Sequence, residues 1–197
     1  MAPISKAWSV TERAYGPTAL LTPANALTAF RIVVAPIFIY LVVTQRVSWF
    51  TTVVGLTAPL TDFFDGIVAR KQGSTTAGAF LDPLADKIII LGGLYALIWS
   101  HDPVRAFIWP ALVITLREVW MSYYRSRAAQ HGVSIPATSL AKWKTLVQDF
   151  AVGLCVLPWT GHHLLIPEIV AWLAVVLTLV TGWQYYRDGR KVGVRAR

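Results

Sequence analysis

At 197 residues, 55% of them hydrophobic and 14% charged, with a mean hydropathy of +0.54, the chain excludes a soluble globule and predicts an all-α integral membrane protein of one domain. A formal net charge of +8 raises nucleic acid as a partner, but the Lys and Arg residues fall mainly on one side of the predicted spans, so anionic membrane lipids are expected and nucleic acid is not. The single cysteine, Cys155, sits in an apolar run and excludes an internal disulfide or a cysteine metal site.

Residues 1–24 hold Lys6, Glu12, Arg13 and Pro17 without a continuous apolar run, which predicts a short N-terminal juxtamembrane segment and no cleaved leader. Apolar stretches follow at 27–45, 47–69, 79–100, 104–124, 145–161 and 164–186. Each is near the ~20 residues that cross ~30 Å of hydrocarbon, so six transmembrane helices are predicted. Connections at 45–48, 71–76, 100–103 and 161–163 are short and polar, whereas 125–144 is longer and basic. No repeat is visible, and the organisation expected is a juxtamembrane segment at 1–24, a six-helix domain at 25–187 and a basic cytoplasmic tail at 188–197.

An even number of spans puts both termini on one side, with Lys6, Arg13, Arg70, Lys71, Arg125, Arg127, Lys142, Lys144 and the basic residues from Arg187 onward; the other side has Arg46 and Arg105. That asymmetry predicts a multi-pass protein of the cell membrane with cytoplasmic termini. Trp49, Trp99, Trp109, Trp159 and Trp183 fall near span ends, where indole rings anchor at the headgroup level. Pro36, Pro59, Pro110 and Pro158 fall within or near spans, which membrane helices tolerate.

Across the second and third stretches runs Asp62-x-x-Asp65-Gly66-x-x-Ala69-Arg70, then Gly78-x-x-x-Asp82-x-x-x-Asp86. An ionised carboxylate within a bilayer costs on the order of 3 kcal/mol even on a mild insertion scale. Four together call for compensating charge, and in the neighbouring sequence only Arg70, Lys71 and Lys87 qualify as partners. Spacings of three and four put each pair on one helix face, so two faces form a carboxylate cage. Hard oxygen donors without His or Cys suit magnesium, manganese or calcium, and a pair of such ions suits phosphoryl chemistry. Gly66 and Gly78 allow a diphosphate ligand to approach the backbone, and Arg70 can neutralise phosphate oxygens.

The run from Asp62 to Asp86 resembles the signature of the CDP-alcohol phosphatidyltransferase family, with every signature position filled. The resemblance implies six spans, a homodimer, and two ions (Mg2+ or Mn2+) held by Asp62, Asp65, Asp82 and Asp86 beside a cytidine diphosphate headgroup. It implies that an acceptor hydroxyl attacks the lipid-bearing phosphorus of CDP-diacylglycerol, that Asp86 takes its proton and that CMP departs. It also implies that Gly66, Ala69, Arg70, Thr75 and Gly78 surround the nucleotide, and that Asn25, before the first span, helps close over the cytidine.

The acceptor is read from 117–148. Arg117, Arg125, Lys142 and Lys144 lie on the side of the cage, and a phosphorylated acceptor needs two or three such groups. Arg117-Glu118, Tyr123-Tyr124-Arg125, Gly132, Lys142-Trp143-Lys144-Thr145 and Gln148, with 80–87, are similar to the bacterial phosphatidylglycerophosphate synthase branch, which implies sn-glycerol 3-phosphate as acceptor; Ala141 and the aromatic run 120–124 depart from it. Inositol phosphate and phosphatidylglycerol are the alternative acceptors. A prenyl-diphosphate transferase and a divalent-cation transporter are the alternatives from other classes; the latter needs acids at mid-membrane, whereas these cluster beside 70–76. Glu118 and Asp149 either orient a neighbouring basic residue or bond helix to helix. His101, His131, His162 and His163 are assigned no role, and Gly92 and Gly93 permit close helix packing, as between subunits.

Overall fold

The computed structural model describes residues 22–72, 76–130 and 139–191, and their side chains except at 24, 62–63, 65–72, 76–80, 128–130, 139, 141–142 and 189–191. Six long helices make up the bundle: α1 (Pro23–Thr44), α2 (Trp49–Gln72), α3 (Thr76–Ile98), α4 (Ile108–Gln130), α5 (Ser139–Val156) and α6 (Leu165–Lys191). A 3-10 turn, Arg105–Phe107, leads into α4, and the described residues include no strand.

Local chemistry sets the helix ends. Thr22 caps α1, its hydroxyl accepting from the Asn25 backbone N–H at 3.1 Å, and Pro23 fits the first turn because its missing N–H would have no partner there. The Ser48 hydroxyl accepts from the Phe50 N–H at 3.2 Å at the start of α2. Pro158 disfavours helical backbone at Leu157, and α5 ends one residue earlier at Val156. At the facing ends of α4 and α5 the helices outrun the expected spans. Residues 125–130 and 139–144, expected as a basic connection, are helical. Hydropathy marks where apolar character stops, but Arg, Lys, Ala and Gln are good helix formers and carry the helices onward.

Short connections make successive helices run in opposite directions. α1 packs between α2 and α3, α5 lies along α6, α4 packs on α6, and α2 and α3 touch α5. The core joins Phe38 and Val42 of α1, Leu94 and Leu97 of α3, Phe107, Ile114 of α4, Val152 and Val156 of α5 and Val175 of α6. Gly92 lets α3 close on α1: a Cβ there would lie 2.5 Å from Ile39 Cδ1. Gly93 faces Phe38 and Val152. Both small residues therefore serve packing within one chain.

The outward faces are as apolar as the core. Val33 is 63% exposed, Leu116 70% and Ile169 60%, on the side of each helix that a water-soluble bundle would make polar. Residues Asn25–Thr44 and Leu165–Asp188 are long and apolar enough by themselves to cross a bilayer. This is the exterior of a membrane protein.

One end of the bundle is clasped by Arg46, which is buried. Its Nη1 donates to the carbonyls of Cys155 (3.1 Å) and Gly161 (2.8 Å), and its Nη2 to the Asp102 carboxylate. The His101 N–H donates to the Val43 carbonyl at 3.0 Å, and the Ser48 N–H to that of Val156 at 3.2 Å. Three connections are thus tied together, and the opposite end is left to the polar groups of α1, α3, α4 and α5.

Candidate functional site

Asp82 and Asp86, one helical turn apart on α3, face the first turns of α1. Arg31 Nη1 donates to Asp86 Oδ1 at 2.7 Å, and Nη2 lies 3.7 Å from Asp82 Oδ1, which also accepts from the Thr28 hydroxyl. Burial is uneven across the pair: the Arg31 side chain is 1% exposed, those of Asp82 and Asp86 46% and 40%. A guanidinium behind two part-exposed carboxylates orients them and offsets their charge.

Arg31 and Thr28 are the residues missed by sequence reasoning, which sought cations only near 70–87. The signal was present in Asn25-x-x-Thr28-x-x-Arg31, three polar groups on one face of an otherwise apolar helix. All three are buried. The Asn25 expected to border the nucleotide therefore shares the face that braces the aspartates. Lys87, expected as a neutralising neighbour, donates to Ser122 of α4.

Asp62, Asp65, Gly66, Ala69 and Arg70 lie on the C-terminal part of α2 and Gly78 at the start of α3; their side-chain surroundings, and Thr75 altogether, fall outside the described residues. Among the described residues no three His, Cys, Asp or Glu converge, so the four-carboxylate cage falls only half within them. The two described carboxylates are part-exposed hard oxygen donors of the kind that magnesium or manganese takes.

A second polar cluster joins α4, α5 and α6. Arg117 Nη1 (2.9 Å) and Lys144 Nζ donate to the same oxygen, Glu118 Oε1. Arg117 also donates from Nε to the Thr178 carbonyl at 3.2 Å and from Nη2 to the Thr181 hydroxyl at 3.1 Å, while Gln148 donates to the Thr178 hydroxyl at 3.0 Å. Of the expected acceptor residues, Arg117 and Lys144 are thus together and buried. Arg125 is exposed, its guanidinium 5.4 Å from the ring centre of Tyr185, and the side chain of Lys142 lies outside the described residues. Glu118 bonds to its neighbour Arg117 and, from α4 to α5, to Lys144, so neither of the two roles expected for it excludes the other.

A small cleft at Asp86 is lined by Arg31 of α1, Ala58 and Pro59 of α2, Asp86, Ile89 and Ile90 of α3, and Thr145 and Asp149 of α5. Thr145 adjoins Lys144 in sequence, so α5 contributes both to this cleft and to the basic cluster.

Comparison with known proteins bears on this arrangement. The family described as CDP-alcohol phosphatidyltransferase matches residues 21–180. The CDP-diacylglycerol--glycerol-3-phosphate 3-phosphatidyltransferase of Rickettsia bellii is 34% identical over 85% of this chain and 94% of its own. The probable phosphatidylglycerophosphate synthase of Mycobacterium tuberculosis is 36% identical over 82% and 78%. A Haemophilus influenzae protein with the same name as the Rickettsia one is 33% identical over 81% and 88%.

Proposed function

We propose that this chain, which belongs to the CDP-alcohol phosphatidyltransferase family, transfers a phosphatidyl group from CDP-diacylglycerol to sn-glycerol 3-phosphate, giving phosphatidylglycerophosphate and CMP. The observation that carries the reading is that α5 bears both Lys144, joined to Arg117 through Glu118, and Thr145 and Asp149, which line the cleft at Asp86, so that a proton acceptor and phosphate-binding cations belong to neighbouring parts of one bundle. Relatives named for that acceptor support the same choice.

In this reading Arg117 and Lys144, with Arg125 and Lys142, hold the acceptor phosphate, directing its free hydroxyl towards Asp86. Asp86 takes the hydroxyl proton as oxygen attacks the lipid-bearing phosphorus, and CMP leaves. Arg31 and Thr28 hold Asp86 and Asp82 in place during that step. Asn25, Gly66, Ala69, Arg70, Thr75 and Gly78 surround the cytidine diphosphate. The family generally works with divalent metal ions. Asp62, Asp65, Asp82 and Asp86 would hold two, Mg2+ or Mn2+, whose chemistry is to offset charge on the phosphoryl oxygens.

All six helices span the cell membrane in this reading, within a domain at 25–187, with site and termini cytoplasmic. Exposed Trp49, Trp99, Trp109 and Trp159 gather at the Arg46 end, and exposed Tyr123, Trp143 and Trp183 towards the other; two aromatic belts support the arrangement. A homodimer is the assembly proposed.

The test is CMP release from CDP-diacylglycerol by the purified chain with magnesium, offering glycerol 3-phosphate, inositol phosphate, inositol and phosphatidylglycerol separately, with Asp86→Asn as control. Release driven by glycerol 3-phosphate alone and lost in the variant is expected. Release with another acceptor overturns the reading of α4 and α5, and no release with any overturns the activity.

A further inference from the structure

Glu118 lies midway along α4 with its side chain 15% exposed, and its Oε1 accepts from two cations. Those cations are held differently. Arg117 is clamped by α6 through Thr178 and Thr181. Lys144, its side chain 9% exposed, has Glu118 as its one recorded partner among the described residues. An ammonium carries three donors, so Glu118 decides which way the others point.

The charges do not balance within the cluster. Two buried cations share one carboxylate, and Lys87 brings a third to the same stretch of α4 through Ser122, whose hydroxyl donates to the Glu118 carbonyl at 2.8 Å. A helix brace needs one opposite charge, and surplus buried charge is costly. A phosphomonoester, with a charge of about −1.5 to −2 at neutral pH, supplies what is missing. The next residue on α5, Thr145, lines the cleft that holds Asp86.

We propose that Glu118 is a positioning residue for the acceptor: it aims the Lys144 ammonium, beside Arg117, at the acceptor's phosphate and thereby favours phosphorylated over plain alcohols. This rests on the reading of the chain as a transferase that uses glycerol 3-phosphate.

The experiment compares the full-length chain with Glu118→Gln and Glu118→Asp in detergent micelles, measuring kcat, donor and acceptor KM, competitive inhibition by inorganic phosphate, and thermal midpoint. Glu118→Gln is expected to raise the glycerol 3-phosphate KM at least fivefold and weaken phosphate inhibition in parallel, with donor KM within twofold and kcat falling less than KM rises. Glu118→Asp, which keeps the charge, is expected to fall between. Acceptor KM and phosphate inhibition both within twofold of the parent overturn the proposal; so does an equal rise of donor and acceptor KM with a lowered midpoint, which marks a brace. If Glu118→Gln does not fold, Lys144→Gln decides: weakened phosphate inhibition supports the aimed ammonium, unchanged inhibition overturns it. A parent chain that uses no phosphorylated acceptor overturns the underlying reading as well, and shows this before any variant is made.

Discussion

Arg31 shows what a single side chain does for a site whose signature lies elsewhere in the sequence. It is buried at 1% exposure and touches both aspartates of α3, so it acts on carboxylate orientation, with Thr28 sharing the load at Asp82. Replacing it with Gln leaves Asp86 without its 2.7 Å partner, and general-base catalysis of order 10²–10⁴ depends on that carboxylate's position. Arg31→Gln is therefore expected to lower kcat by roughly 10²-fold, and Arg31→Lys, a charge without the planar fork, to restore part of it. Rates of CMP release at saturating substrates check this; a kcat within twofold in Arg31→Gln contradicts it. Lys144→Gln is expected to act on the other parameter, raising acceptor KM by roughly tenfold, as loss of a charged hydrogen bond worth about 1.5–3 kcal/mol would. The aspartates could be read from their spacing, but no local pattern pairs Arg31 with them, because the pairing exists only once α1 and α3 are side by side.

Helix packing decides how well that pairing holds. At Gly92 the obstacle to a side chain is the end of Ile39, a flexible group, whereas at Gly161 it is the Cys155 carbonyl at 2.5 Å and the Leu157 carbonyl at 3.0 Å, both backbone. Gly92→Ala is thus expected to be nearly neutral, the gain in helix propensity of about 1 kcal/mol offsetting a shift of Ile39. Gly92→Leu is expected to cost roughly 1–3 kcal/mol by prising α3 from α1, and with it to lower kcat. Gly161→Ala is expected to destabilise more than Gly92→Ala. Thermal midpoints of the three variants in one detergent test the order, and a Gly161→Ala as stable as the parent would contradict it. Existence and order of the helices follow from hydropathy; their inner ends do not, because basic residues that end an apolar run still continue a helix.

At the scale of the whole molecule, the two ends of the bundle are built for different purposes. Arg46 donates to two backbone carbonyls and a carboxylate from a buried position, so Arg46→Ala is expected to cost about 2–4 kcal/mol, leaving those groups unpaired. Asp102, its side chain 74% exposed, is expected to cost under about 1 kcal/mol when replaced by Ala. Acceptor KM is expected to stay unchanged in both while folded, since the clasp and the cleft lie at opposite ends; thermal melts with assays at low temperature check this. Sidedness is testable because the native Cys155 is fully buried. His101→Cys is expected to react with a membrane-impermeant maleimide on intact cells, and Ser126→Cys only after permeabilisation; the reverse pattern inverts the proposed topology.

The sequence by itself determined that the chain is a helical membrane protein, where its apolar stretches lie, and that four aspartates fall in two pairs at spacings of three and four. Those are properties of composition and of helical periodicity, which act over a few residues. The tertiary structure decided which groups brace Asp82 and Asp86 and which gather about Glu118. Arg31 and Thr28 reach Asp82 and Asp86 only because α1 packs on α3, and Arg117, Glu118 and Lys144 meet only because α4 and α5 both pack against α6. A buried charge needs a partner within a few ångströms, and the identity of that partner is set by helix packing across the bundle.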